Sequence, residues 1–164
     1  MLLANIDKQQ IEHTHLGRSL KVYEMSSSRQ PPSCVENSLG TPWGLLEICE
    51  KIGEGQPSGM VFEGRIPIGV KASECSVEKQ ERNLITSRIL RLDGLENGVN
   101  RGGQVDTYNR YVYIHGTNHE GNLGNPASSG CLQMSNQCVM ELFNQVSTRT
   151  HLYIQENFKS RSKI

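Results

Sequence analysis

At 164 residues, with 17 Lys plus Arg against 17 Asp plus Glu, the chain carries no formal net charge. That length fits one domain able to bury most of its apolar surface, and the charge balance gives no field that would draw it to nucleic acid or an anionic membrane. No apolar run approaches a membrane span, and the N-terminus, MLLANIDKQQIEHTHLG, turns polar by Asn5 without the charged start and apolar core of a secretory signal.

Short β-like runs recur along the chain: LLANI (2–6), SLKVYEM (19–25), GLLEICEKI (44–52), MVFEGRI (60–66), ITSRILRLDG (85–94), YVYIHGT (111–117) and HLYIQE (151–156). Gly, Pro, Ser and Asn clusters separate them, as strand boundaries require. One stretch predicts a helix, over 136–146: Ser135 can cap it, and Val139, Leu142, Phe143 and Val146 recur at helical spacing. Mostly strands with one marked helix indicates a mainly β fold, a sandwich or partial barrel. Residues 67–84 and 95–110 read as long polar connections, a length that in compact domains often belongs to lids or binding loops. A single domain is expected over 1–157, followed by a short basic tail at 158–164.

The five cysteines form no C-x-x-C pair, which argues against a structural zinc site. Cys49 and Cys138 read as small core residues. Cys34 and Cys75 lie in polar stretches and read as exposed thiols or a disulfide. Cys131 has different surroundings. In YVYIHGT, side chains alternate, so Tyr111, Tyr113 and His115 share one face and Val112 and Ile114 the other. His115 thus ends a strand, Gly116 lets the backbone turn, and an Asn- and Gly-rich excursion returns through Pro126 to Ser128-Ser129-Gly130-Cys131, just before the capped helix.

A cysteine attacks as thiolate, so it needs a thiol pKa lowered by a neighbouring imidazolium or by dipoles such as a helix N-terminus. N–H groups around Gly130 and Cys131 can form an oxyanion hole. The competing reading is a buried structural Cys beside a hydrogen-bonded strand His, and spacing by itself leaves both open. A metal site using His115, His119 and Cys131 ranks below either, because residues four apart align on a helix and not on a strand entering a glycine loop.

The segments IHGTN (114–118) and LGNPASSGCLQMSN (123–136) closely resemble the active-site signature of the L,D-transpeptidase catalytic domain, the YkuD-type fold. TPWG (41–44), VFEGRIP (61–67) and DTYNRYVYIHGTN (106–118) are also similar to that family, so the resemblance runs from about Leu2 to Ile154. It implies two mixed β-sheets in a sandwich with a short helix beside the nucleophile. It also implies Cys131 as nucleophile, His115 as its base, and Gly116 as the residue whose carbonyl orients the imidazole. Gly130 and Cys131 would supply the oxyanion hole, and Tyr113, Thr117, Asn118, Ser128, Ser129 and Gln133 would contact substrate.

The reaction implied is attack on the bond after the third residue of a peptidoglycan stem peptide. D-Alanine leaves, and the acyl group passes to an amine, for a cross-link or protein attachment, or to water. It needs no cofactor, its partners are donor and acceptor stem peptides, carbapenem β-lactams are expected to inhibit it, and the cell envelope is its expected location. No separate anchoring domain is expected in this chain. Two positions depart from the usual Ser-His-Gly-Cys-Ile/Val-Arg-Met: Ser129 replaces the second His and Gln133 the Arg. The second change removes a cation beside the nucleophile and favours a rival reading, a degenerate domain that binds cell-wall peptide without turnover. A papain-like peptidase is disfavoured because here His precedes Cys.

Overall fold

The computed structural model describes residues 1–155; the end of the last predicted strand at Glu156 and the basic tail lie outside them. Ten strands form one hydrogen-bonded network: β1 (Leu2–Asn5), β2 (Gln10–His15), β3 (Arg18–Glu24), β4 (Gly44–Ile52), β5 (Met60–Glu63), β6 (Ile66–Lys71), β7 (Ile85–Gly94), β8 (Tyr113–Thr117), β9 (Leu132–Met134) and β10 (His151–Gln155). Two helices accompany them, α1 (Val77–Gln80) and α2 (Asn136–Gln145). The arrangement is mixed, because β1 runs parallel to β10 and β8 parallel to β9 while the other pairs are antiparallel.

The two halves meet on β7. Residues 89–94 pair with β4, residues 85 and 86 pair with β5, and β8 takes the other edge along both. A register shift between Thr86 and Ile89, with Ser87 at φ 66°, divides them. β7 is covered on both faces and reads as a near-continuous buried run, with Ile89, Leu90 and Leu92 fully enclosed. The main core lies between α2 and the sheet, where Leu142 and Val139 meet Leu46, Ile48, Leu90, Ile114 and Leu132. α2 starts as its sequence requires: the Ser135 hydroxyl accepts the Cys138 N–H at 3.1 Å. A second, smaller cluster joins Met60, Phe62, Ile89 and Tyr113, with Cys131 packed against it.

Three sequence expectations need correction. MVFEGRI is not one strand. Gly64 and Arg65 take φ of 53° and 68°, the two left-handed positions of a tight hairpin turn, and the chain folds back from β5 into β6. β2 escaped notice because QIEHTH offers a single aliphatic residue; Ile11 and the buried His13 mark its inner face. Cys34 is buried, its sulfur 3.6 Å from the Trp43 carbonyl, and all five cysteines are thiols, so no bridge joins it to Cys75.

Candidate active site

β8 and β9 lie side by side in parallel with Ile114 opposite Leu132, His115 opposite Gln133 and Gly116 opposite Met134. Paired residues on neighbouring strands point to the same side and successive residues to opposite sides. One face therefore carries Val112, Ile114, Leu132 and Met134 into the main core. The other carries Tyr113, His115, Cys131 and Gln133. The pleat brings imidazole and thiol to one surface on adjacent strands, although fifteen intervening residues (116–130) separate them in the chain.

His115 is 3% exposed, and its Nδ1 lies 2.7 Å from the Gly116 carbonyl oxygen. A carbonyl only accepts, so Nδ1 carries the proton and Nε2 is left with its lone pair. Burial pushes the imidazole down to about 4, against the smaller opposing effect of that hydrogen bond. Gly116 is required here, because a Cβ would lie 2.5 Å from the Thr86 carbonyl oxygen and 3.0 Å from Asn136 Oδ1. Asn136 fastens this corner. Its Oδ1 accepts from the Thr86 and Ser87 hydroxyls, and its Nδ2 donates to the Thr117 carbonyl and to Glu120.

Cys131 follows Gly130, whose φ of 132° suits glycine and little else. The Tyr113 N–H donates to Cys131 Sγ at 3.3 Å, and the thiol reaches the Tyr111 carbonyl at 3.8 Å. Burial pushes the thiol up to about 11, outweighing the lowering effects of the Tyr113 N–H and of the Arg110 charge. At rest the pair is therefore a thiol and a neutral imidazole. The expected lowering by the helix does not occur. β9 stands between Cys131 and α2, and the first helical N–H groups are taken by Glu120 and Ser135.

A cavity of about 300 Å³ opens on Cys131, bounded by Ser129, Gly130, Tyr111, Arg110, Glu36 and Leu39 among others. Ser129 is exposed in it. Ser128 is buried; its hydroxyl donates to the Cys131 carbonyl at 2.6 Å and accepts the Gly130 N–H at 3.2 Å. Tyr113 packs beside the nucleophile. Thr117, Asn118 and Gln133 are not among the residues that line that cavity. The Asn118 side chain bonds the backbone of Gln80, Arg82 and Leu84, and Thr117 and Gln133 both donate to Asn83 Oδ1. His119 is turned to the Gln80 carbonyl at 2.8 Å.

The sequence reading missed Arg110. Its guanidinium donates to the carbonyls of Ser33 and Gly40 and to the Ser38 hydroxyl, pinning the loop before TPWG against the cavity. It also restores a positive charge near the thiol that the loss of the motif arginine had put in question. Its place directly before an aromatic strand ending in His was the available signal.

The L,D-transpeptidase catalytic domain sequence profile (YkuD) matches residues 1–154, and the chain belongs to that family. Among solved structures, an L,D-transpeptidase from Mycobacterium smegmatis is 18% identical with a TM-score of 0.57, covering 94% of this chain and 57% of its own. L,D-transpeptidase 3 from Mycobacterium tuberculosis, solved with a faropenem-derived adduct, is 15% identical with a TM-score of 0.55, covering 94% and 59%. An L,D-transpeptidase solved with imipenem is 16% identical, TM-score 0.55, covering 94% and 57%. This chain thus spans between half and two thirds of the length of these structures, and the likeness is one of fold: mainly β, with a mixed sheet and few helices. A search of curated protein sequences finds no significant match. Among the described residues no helix is long and apolar enough to cross a membrane.

Proposed function

We propose that this chain is a cysteine L,D-transpeptidase acting on peptidoglycan stem peptides, with Cys131 as nucleophile and His115 as base. One observation carries the reading: His115 Nδ1 is tied to the Gly116 carbonyl, so Nε2 faces the thiol's side of the sheet as an acceptor. The Sγ proton passes to Nε2 as sulfur bonds the carbonyl carbon of the third stem residue. The C–N bond breaks, and the imidazolium returns that proton to the departing D-alanine amine. An acceptor amine, or water, then attacks the thioester, giving up a proton through the same imidazole and regenerating the thiol. The Cys131 N–H is assigned to the oxyanion, with Gly130 joining it when the long bond from its N–H to Ser128 yields. Such a substrate lies in the cell envelope.

A thiol pushed up to about 11 favours the second reading, a domain that binds stem peptide without turnover. Incubating the protein with a disaccharide-tetrapeptide and weighing the products separates the two. D-Alanine loss or a cross-linked dimer is expected; unchanged donor bound by the protein overturns the enzyme reading. A carbapenem should add once to the native protein and not to Cys131→Ala. An adduct that persists in that variant refutes the assignment of Cys131.

A further inference from the structure

We propose that Arg65, at the tip of the β5–β6 hairpin, is the specificity-determining cation of this site and pairs with a carboxylate of the donor peptide. The inference rests on the peptidoglycan reading above. The turn makes the placement specific. Gly64 and Arg65 both adopt left-handed backbone, so the hairpin reverses in two residues with Arg65 at its apex. Its first strand is anchored by Met60 and Phe62, which bury in the same cluster as Tyr113 and against which Cys131 packs. The tip is therefore held by packing beside Tyr113, whose backbone N–H touches the thiol.

From there Arg65 Nη1 donates to the Tyr113 hydroxyl at 3.2 Å, and the guanidinium carbon lies 5.1 Å from the centre of the Tyr111 ring. These two tyrosines are the residues whose backbone touches the thiol: the Tyr113 N–H donates to Sγ and the Tyr111 carbonyl accepts from it. Tyr111 has φ of 55°, uncommon for a bulky aromatic. Arg91 lies at the same distance of 5.1 Å from its ring. An outlier held this way beside a nucleophile points to a positioning role.

Three arginines lie near Tyr111 or Cys131, and they differ in what their forks already hold. Arg91 pairs with Glu50 at 3.1 Å, stacks on Tyr108 at 3.5 Å and is 5% exposed. Arg110 is committed to Ser33, Gly40 and Ser38. Among the described residues, Arg65 has one hydrogen-bond partner, a neutral phenol, and no carboxylate in ion-pair contact; Glu50, which is paired with Arg91, acts on it only as a weak, more distant charge. Its remaining N–H groups form an open, charged fork of the shape that takes a carboxylate. Glu36, on the loop that Arg110 holds, lines the cavity beside it and offsets the Arg110 charge there. Gln133, where the family pattern has arginine, is neutral, 3% exposed and bonded to Asn83. Beyond Arg110, which is committed to its loop, the hairpin thus brings a second cation with a free fork to the site.

Two carboxylates flank the scissile bond of a donor whose third residue is a dicarboxylic diamino acid, the terminal one on the leaving residue and the one on that third side chain; the second residue is amidated in every donor used. Native protein, Arg65→Gln and Arg65→Lys are compared on three tetrapeptide donors: both carboxylates free, the terminal one amidated, and the side-chain one amidated. Arg65→Gln should lose about tenfold in kcat/KM on the fully free donor. It should lose far less on whichever amidated donor removes the partner, with Arg65→Lys between. A second measurement needs no turnover: alkylation of Cys131 by iodoacetate against its neutral analogue iodoacetamide. Arg65→Gln should lower that ratio by about three- to fivefold at low salt and less at high salt. An unmoved alkylation ratio, or equal losses on all three donors, overturns the proposal. A ratio that moves in protein that turns over no donor overturns the peptidoglycan reading and leaves the anion site standing.

Discussion

The two faces of the β8–β9 pair belong to regions built on opposite principles. On one face Val112, Ile114, Leu132 and Met134 join α2 in a core of aliphatic side chains, nearly all without exposure. On the other, Tyr113 and His115 stand beside Cys131 and Gln133, and polar groups are enclosed with few charges to answer them. Left-handed backbone borders this second region at Arg65, Ser87, Tyr111 and Gly130. The first face can be filled by any shapes that pack; the second needs particular atoms at particular places and holds an imidazole and a thiol where burial opposes charging either one. One ladder thus serves both stability and chemistry, and the two should separate on mutation.

The largest expected effect is on chemistry. His115→Ala should reduce turnover roughly a hundred- to ten-thousand-fold, the usual worth of a positioned general base. His119→Ala should lose less than about tenfold, because that ring is committed to the Gln80 carbonyl. The reciprocal change is Leu142→Ala on α2, a fully buried side chain. It should cost about 2–5 kcal/mol of stability while activity per folded molecule stays within about twofold. Turnover measured beside urea unfolding tests both. Similar activity losses in the two histidine variants, or a Leu142→Ala protein that folds yet is inactive, would erase the division.

The next effect is of intermediate size and comes from pH. The His115 pKa is lower in the folded protein, about 4 against 6.5, so between those values the unfolded chain binds more protons. Stability is then fully present above 6.5 and lost as pH falls towards 4, by on the order of 3 kcal/mol. The Cys131 thiol is raised, about 11 against 9.0, so stability is fully present below 9 and declines as pH rises towards 11. Urea midpoints across pH should show a plateau between these limbs. His115→Gln should flatten most of the acid limb, and Cys131→Ala should take away about half of the alkaline one, because burial also pushes the Cys49 thiol up to about 11. Limbs unchanged in the two variants would place the burden on other groups.

How much of this was legible follows the same division. β4 and β7 read true to the residue, because strands that feed the main core advertise themselves by aliphatic runs. α2 was legible from its spacing and Ser135 cap, ending one residue early. That His115 and Cys131 share one face of the sheet was legible only through a motif, since parallel register between β8 and β9 is a long-range fact that neither segment encodes alone. Arg65, Asn83 and Asn136 were not legible, and Arg110 offered only its place directly before the aromatic strand. Each acts through hydrogen bonds to backbone or side chains distant in sequence, and polar residues in loops carry no periodicity that reports such partners. Reading MVFEGRI as a single strand hid Arg65 in particular, because the turn that exposes it depends on two left-handed residues, one of them not glycine.

Gln133 tests the boundary with the smallest expected effect. Its motif position suggests a substrate contact, yet its surroundings are structural. Its backbone bonds Ser26 in both directions, at 2.8 and 2.9 Å, and its Nε2 donates to Asn83 Oδ1 at 2.7 Å. Asn83 in turn holds the start of β7 against Thr117 and Ala127, through contacts of 3.4 Å each. Gln133→Met keeps the volume and removes one neutral hydrogen bond, so it should cost about 1 kcal/mol of stability. The Thr117 hydroxyl still faces the Asn83 oxygen, which keeps the cost at that level. A cycle with Asn83→Ala should return a coupling of similar size, since the two side chains share the bond. Turnover of the donor should change less than about twofold, because the site face at Gln133 is filled by Asn83 and not by substrate. A tenfold loss in kcat/KM at an unchanged urea midpoint would put Gln133 in contact with the donor, and the chemical region would then extend one residue pair further along β9.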